Sequence, residues 1–433
     1  MDPIMSAVAG RATKSEIREL LKWTRRSDVI SFAGGLPDAS LFPIDELVRL
    51  SEQVLRTRGY HALQYGPTPG EPDMIEALVQ HMRDYDEEAD GNRICVTASS
   101  QQGLDLVSLL FIDEGSPIIV ELPSYIGAIQ AFSRSGADMR GVALEEDGID
   151  LEGLGRVLNE LDREGRRPRF IYVIPDFQNP SGVTMSVEKR RELIAIARAR
   201  SIPIVEDSPY REVNFTGATL PSIWTLAGGE GVILLKTFSK MLFPGMRLGW
   251  IAAGQPWMDK LIMLKQSVDL CTASFTQFIV ADYLREGRMR DTIARAIDCY
   301  RPKKDAMLAA LGSAMPAGTR WSRPYGGMFL WVELPAGIGA ESMFERAAGR
   351  GVVYVKGRQF HCDGSGAGTL RLNYSFPSVE QIERGIEILG AATAEELEAH
   401  AKAAATTAAP RTAGGPGASR PAATASLGEY PAR

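Results

Sequence analysis

The chain has 433 residues, more than one compact core usually holds, so two domains or one large domain with additions are expected. Its apolar content of 45% and charged content of 24% are those of an ordinary soluble globular protein. A formal charge of -6 gives no overall basic excess for a nucleic-acid backbone, and no apolar run reaches the length of a membrane span.

Cys95, Cys271, Cys299 and Cys362 stand too far apart for a disulfide scaffold or a zinc site, so free thiols in a reducing compartment are expected. The start lacks the basic flank and apolar core of a signal peptide, which adds to the expectation of a cytoplasmic protein with no membrane and no nucleic-acid partner. Residues 15–24, S-E-I-R-E-L-L-K-W-T, predict a short amphipathic helix with Ile17, Leu20 and Leu21 on one face. On periodicity alone it is an arm packed on the body or on a neighbouring subunit. A Gly-Gly-Leu-Pro turn follows at residues 34–37, where the missing side chains allow close backbone approach. The turn-rich loop L-Q-Y-G-P-T-P-G carries Tyr65. An apolar strand beginning at Ile94 then passes into a helix with Ser100 and Gln101 at its N-terminus. Free N–H groups there suit an anion, although a serine at that position also serves as a plain cap.

Beyond that point, short apolar strands end near Glu121, Pro175, Asp207 and Lys236, with helical stretches such as residues 187–200 between them. Continuous apolar strands separated by helices predict an α/β fold with a mostly parallel sheet covered on both faces. In such sheets ligands gather beyond the carboxyl ends of the strands. The polar residues at those ends are Ser99, Ser100, Gln101, Gln102, Tyr125, Asn179, Asp207, Tyr210 and the group from Thr237 to Lys240. Residues 258–307 read as long helix. From Arg323 onward, alternating strands and helices predict a smaller α+β domain, ending in a helix over residues 380–389. The Ala/Pro/Gly/Thr-rich remainder is expected to be disordered. The expected division is an arm (1–27), a small domain (28–55 with 300–398), a large domain (56–299) and a tail (399–433).

The stretch L-L-K-T-F-S-K-M-L-F-P-G-M-R-L-G-W, residues 234–250, places two hydroxyls, a lysine and an arginine at one strand end. That set suits pyridoxal phosphate, with Lys240 as covalent anchor, Thr237 and Ser239 as hydroxyl donors to the phosphate and Arg247 as a guanidinium fork. Lys236 is the competing amine, but it belongs to the strand itself. Asp207 fits the partner of the pyridine nitrogen, or else it caps a turn. Asn179 and Tyr210 suit the phenolic oxygen, and Tyr125 suits the ring face, the two tyrosines being otherwise packing residues. Arg371, on the strand face opposite Leu370 and Leu372, is either a substrate-carboxylate fork or part of a solvated face.

With these residues assembled, the sequence resembles the fold type I pyridoxal-phosphate aminotransferases, and within them the 2-aminoadipate, kynurenine and aromatic amino acid subgroup. The motifs that carry the resemblance include S-F-A-G-G-L-P-D, L-Q-Y-G-P-T-P-G, S-Q-Q-G-L-D-L, P-D-F-Q-N-P-S-G, V-E-D-S-P-Y-R-E, T-F-S-K-M-L-F-P-G-M-R-L-G-W and L-R-L-N-Y-S, in order over residues 14–395. The resemblance implies a mostly parallel seven-stranded sheet in the large domain and a ping-pong transfer of an amino group from an L-amino acid to a 2-oxo acid. Lys240 would be both anchor and proton carrier, with Asp207, Asn179 and Tyr210 on the ring and Tyr125 stacked against it. Ser100, Gln101, Thr237, Ser239 and Arg247 would hold the phosphate, and Arg371, Asn179 and the backbone near Gly35 the substrate α-carboxylate. It further implies a homodimer whose Tyr65 reaches the neighbouring site, and Ser15 and Arg18 at the distal carboxylate of the substrate. Thr237 replaces a common serine and Ser208 a common acidic residue. Other pyridoxal-phosphate enzymes of this fold share Lys240 and Asp207. Cofactor-sensing regulators carry a DNA-binding domain ahead of the shared part, for which the motifs leave no room.

Overall fold

A computed structural model describes residues 4–14 and 28–408. The expected helix over residues 15–24, with Ser15 and Arg18, lies outside the described residues. The strands, in chain order, are β1 (Ile30–Ser31), β2 (Ile94–Thr97), β3 (Pro117–Leu122), β4 (Asp138–Glu145), β5 (Gly148–Ile149), β6 (Ile171–Val173), β7 (Ile204–Asp207), β8 (Val232–Thr237), β9 (Gly249–Ala253), β10 (Arg320–Trp321), β11 (Phe329–Glu333), β12 (Val352–Val353), β13 (Val355–Lys356) and β14 (Thr369–Asn373).

The large sheet has the order β2-β9-β8-β7-β6-β3-β4-β5. Its pairs from β8 through β7, β6 and β3 to β4 are parallel, while β2, β9 and the two-residue β5 join antiparallel. Seven longer strands thus form the mostly parallel sheet that the apolar runs predict, and β5 is a hairpin addition. Alternation decides the two faces: Val232 and Leu234 pack into one core with Trp224 and Trp250, and Ile233 and Leu235 into another with Val205 and Tyr172. Strands buried on both faces have no polar side to spare, which is why they read as unbroken apolar runs.

The small sheet has the order β10-β11-β14-β13, antiparallel throughout, and β1 pairs with β12 beside it. The helix Arg288–Ala314 joins the two units, with Met289 and Ile293 in the large core and Tyr300, Met307 and Leu311 in the small one. Leu50 and Val54 lie in the large core and Phe32 in the small one. The last helix, Val379–Ala408, departs from expectation: it continues past Leu389 and past the start of the expected disordered tail at residue 399. Its Ala-rich continuation has the highest helix propensity of any residue type, which compositional bias alone obscures. Residues 409–433 lie outside the described residues.

Candidate active site

Three segments converge at the carboxyl ends of the parallel strands. β7 ends at Asp207, paired with Leu235 of β8, and β8 runs to Thr237 before turning toward Lys240. The third segment is the turn from β2 into the helix Ser100–Phe111. They enclose a cavity of about 220 Å³ lined by Ser99, Ser100, Gln101, Tyr125, Asn179, Asp207, Tyr210, Thr237, Ser239, Lys240 and Arg247, with Ile174, Pro209 and Pro244 completing the wall.

Ser99 occupies the N-cap position of its helix but makes no capping hydrogen bond. Its hydroxyl instead accepts from Arg247 Nη2 at 2.6 Å. Both residues adopt the left-handed region, Ser99 at φ 77° and Arg247 at φ 52°, which costs free energy for side chains other than glycine. Beneath them Gly249 lets β9 pass close by, since a Cβ there would lie 2.9 Å from Ser100 N. The outcome is an uncapped helix N-terminus facing an arginine, the arrangement of an anion site rather than of a plain serine cap. Thr237 Oγ1 donates to Ser239 Oγ at 3.0 Å, so the two hydroxyls form one pair. Gln102 turns away to bond Asp269.

Lys240 is half-buried, and its Nζ donates to Gly35 O at 2.6 Å. Burial, with Arg371 and Arg247 adding repulsion, brings its amine down to about 8. Lys236 is different: its Nζ meets Glu87 at 2.7 Å and also Glu212, and these two carboxylates outweigh its burial and raise it. The competing amine is therefore tied up. Asp207 is 1% exposed, and burial pushes it up to about 7, against a hydrogen bond from Tyr172 Oη at 2.8 Å. Its other oxygen, Oδ1, has no hydrogen-bond partner among the described residues.

Asn179 links the remaining parts. Its Nδ2 donates to Tyr210 Oη at 3.3 Å and its Oδ1 accepts from Arg371 Nη1 at 2.8 Å. Arg371 is buried rather than solvated, with Nη2 donating to Ala33 O at 2.8 Å and its guanidinium 4.2 Å from the Phe329 ring centroid. Burial lowers it to about 10. Gly35 lies against the same ring, where a Cβ would sit 3.0 Å from Phe329 Cζ. Tyr125 reaches Gln101 Oε1 at 3.4 Å across the cavity mouth. Tyr65 is 79% exposed and not in the cavity lining of its own chain. Two contributors escaped the sequence reading: Ser99 as the partner of Arg247, and Tyr172 as the partner of Asp207.

Among the described residues, Asp207 has an unpartnered buried oxygen, Lys240 has no carboxylate partner and the helix at Ser100 has no side-chain cap but faces Arg247, so the residues present fit pyridoxal phosphate. Residues 27–389 match the sequence model of the aminotransferase class I and II family. The chain belongs to that family. It is 42% identical over 385 residues to the aromatic-amino-acid aminotransferase 1 of Thermococcus litoralis, covering 89% of this chain and 92% of that one. It is 43% identical over 387 residues to the 2-aminoadipate transaminase of Thermus thermophilus, covering 89% and 95%. Among solved structures, an alpha-aminoadipate aminotransferase of Thermus thermophilus complexed with N-(5'-phosphopyridoxyl)-L-leucine superimposes with a TM-score of 0.85 at 41% identity, covering 91% of this chain and 98% of that one. The protein is thus a pyridoxal-phosphate-dependent aminotransferase of fold type I.

Proposed function

We propose that the enzyme transfers an amino group between glutamate or 2-oxoglutarate and a second pair that is 2-aminoadipate-like, aromatic or arylglycine in type. The observation that carries the catalytic reading is the pairing of Lys240, an amine brought down to about 8, with a buried Asp207 whose second oxygen is unpartnered. Relatives named for aromatic amino acids and for 2-aminoadipate support the substrate range.

When bound, pyridoxal phosphate supplies an electron sink for the bonding pair of the substrate α-carbon. Asp207 would keep the ring nitrogen protonated, with Tyr210 and Asn179 as donors to the phenolic oxygen. Ser100, Gln101, Thr237, Ser239 and Arg247 would hold the phosphate, the Tyr125 ring would cover the cofactor, and Lys240 would be its covalent anchor. The Lys240 amine would also serve as the base for the substrate α-carbon proton. Arg371 presents a buried fork to the α-carboxylate, aided by the backbone at Gly35, and so fixes which α-carbon bond faces the ring.

For the distal carboxylate we propose Ser15 and Arg18, and for the aromatic or apolar partner an Arg18 that swings aside. We propose further a homodimer in which Tyr65 enters the neighbouring site. Exposed Val48, Leu55, Tyr60, Leu63 and Tyr65, on the helix Ile44–Ala62 and just after it, support such an interface. No helix among the described residues is long and apolar enough to cross a membrane. The four free cysteines support the proposed reducing, cytoplasmic setting.

The test is to mix the loaded enzyme with a panel of amino acids and follow the cofactor absorbance. Conversion from the aldehyde to the amine form, reversed by a 2-oxo acid, is expected with glutamate and with aromatic or 2-aminoadipate donors. Irreversible product formation, or no conversion with any donor, would sink the reading. Arg18→Ala should slow the glutamate half-reaction and spare the aromatic one; an unchanged glutamate half-reaction would remove Arg18 from the distal-carboxylate role.

A further inference from the structure

Behind the cavity, the parallel pairing of β6 and β7 sets Tyr172 opposite Val205. Two residues further along β7, Asp207 projects from the same face as Val205. Tyr172 is fully buried, its ring edge-on to Phe132 at 5.4 Å and 77°, so the phenol has no room to swing away. Its hydroxyl donates to Asp207 Oδ2 at 2.8 Å, and Oδ1 is the atom left over.

We propose that Tyr172 is a positioning residue for the cofactor: it occupies one oxygen of Asp207, aims the other at the ring nitrogen, and favours the ionised form of this buried carboxylate. The inference rests on the proposed role of Asp207. The titratable groups around that carboxylate come from four elements. Glu121 of β3 is buried and accepts from Ile174 N and Gln178 Nε2, both at 3.1 Å. Burial brings it up to about 8, so it is mainly neutral near neutral pH and adds little opposing charge. Tyr125 and Tyr210 line the cavity, and Lys240 stands beyond the end of β8. Tyr172 hydrogen-bonds Asp207, and its donation opposes the rise that burial imposes.

The consequence is chemical. Asp207 and the ring nitrogen are two bases that share one proton. A carboxylate deprived of its hydrogen-bond donor binds that proton more tightly and draws it away from the ring. Tyr172 thereby favours the protonated ring, the form that accepts electrons.

Tyr172→Phe removes the hydroxyl and keeps the ring volume, so the core stays packed. Wild-type and variant apoenzymes are titrated with pyridoxal phosphate by calorimetry from about pH 5 to about pH 9, a window that brackets the free Asp207 carboxyl. The acid limb of the affinity profile reports that carboxyl in the apoenzyme. In the variant we expect affinity near neutral pH to fall on the order of tenfold and the acid-side midpoint to move to higher pH. In the loaded variant, kcat should fall while KM for the amino acid holds. An unmoved midpoint with unchanged affinity would overturn the proposal even if the melting temperature dropped, because packing alone would explain that drop. Failure of the wild-type apoenzyme to bind pyridoxal phosphate would instead overturn the cofactor reading itself.

Discussion

Lys236 and Lys240 stand at the end of the same strand in opposite electrostatic settings. On the back of the sheet, Lys236 meets two carboxylates, Glu87 and Glu212, although Glu87 Oε1 and Glu212 Oε2 have no hydrogen-bond partner among the described residues, and Arg190 makes a two-point bridge to Asp176 at 2.7 and 3.3 Å. Glu206 accepts from the backbone N–H groups of Ile223 and Trp224. On the cavity side, and among the described residues, Lys240 meets the Gly35 carbonyl, Asp207 has one oxygen unpartnered and Arg371 has an unpartnered Nε. Buried charges normally find full partners, because leaving them incomplete costs free energy. On the back of the sheet the buried cations Lys236 and Arg190 have carboxylate partners, whereas at the proposed cofactor site Lys240 and Arg371 have none among the described residues.

The largest expected effect tests the open side. Lys240→Ala should lower transamination by at least about ten-thousandfold, since the proposed anchor and proton carrier are lost together. The covalent absorbance signature of the cofactor should vanish while the circular dichroism of the fold stays unchanged. A surviving signature would move the anchor to another lysine and dissolve the contrast with Lys236.

The reverse is expected on the back of the sheet. Lys236→Met leaves Glu212 buried without its lysine and Glu87 with Arg211 at 3.5 Å, and should cost about 3 to 5 kcal/mol of stability, read from urea unfolding. The molecules that remain folded should retain kcat. A normal stability with a large loss of kcat would mean that Lys236 acts in the chemistry.

Much of this contrast was legible in the sequence. Lys240, Asp207, Asn179, Thr237, Ser239 and Arg247 each follow an apolar strand, and strand ends are where a parallel sheet collects its ligands. Tyr172 was not, because within R-F-I-Y-V-I-P it reads as one more packing residue; its meaning depends on which strand pairs beside it. Lys236 was set aside for its place in the strand, but the reason it is inert, a carboxylate 149 positions away, appears only in three dimensions. Gly35 was expected near the substrate on resemblance, and its carbonyl meets Lys240 itself. Tyr65 is not brought to the cavity by its own chain, as befits a residue whose proposed work lies in a neighbouring subunit. The helical stretch past residue 399 was hidden by composition, since alanine-rich sequence suits both a helix and a simple linker.

Arg371 sharpens the comparison at a smaller scale. Arg371→Lys keeps the charge but loses the planar fork that reaches Asn179 and Ala33 together. KM for the amino acid should rise on the order of tenfold to a hundredfold. Cofactor affinity, measured by titration of the apoenzyme, should hold within a small factor. Equal losses in both would mean that Arg371 supports the cofactor pocket rather than the substrate.

The smallest effect is a slope in stability against pH. Burial raises Asp207 from 3.8 to about 7, Glu206 to about 7 and Glu121 to about 8. An acid that holds its proton more tightly when folded contributes stability that is complete below its unfolded-state value and is lost as pH rises through its folded value. The apoenzyme should therefore lose stability as pH rises from about 4 to about 8, against any contribution of opposite sign from its paired surface carboxylates. Asp207→Asn removes one titrating group without changing shape, so the variant should lose less stability than the wild type between the ordinary aspartate value and about 7. The two curves should run parallel above that range. Unfolding midpoints in urea at a series of pH values provide the measurement. Coinciding slopes would show Asp207 already ionised in the apoenzyme.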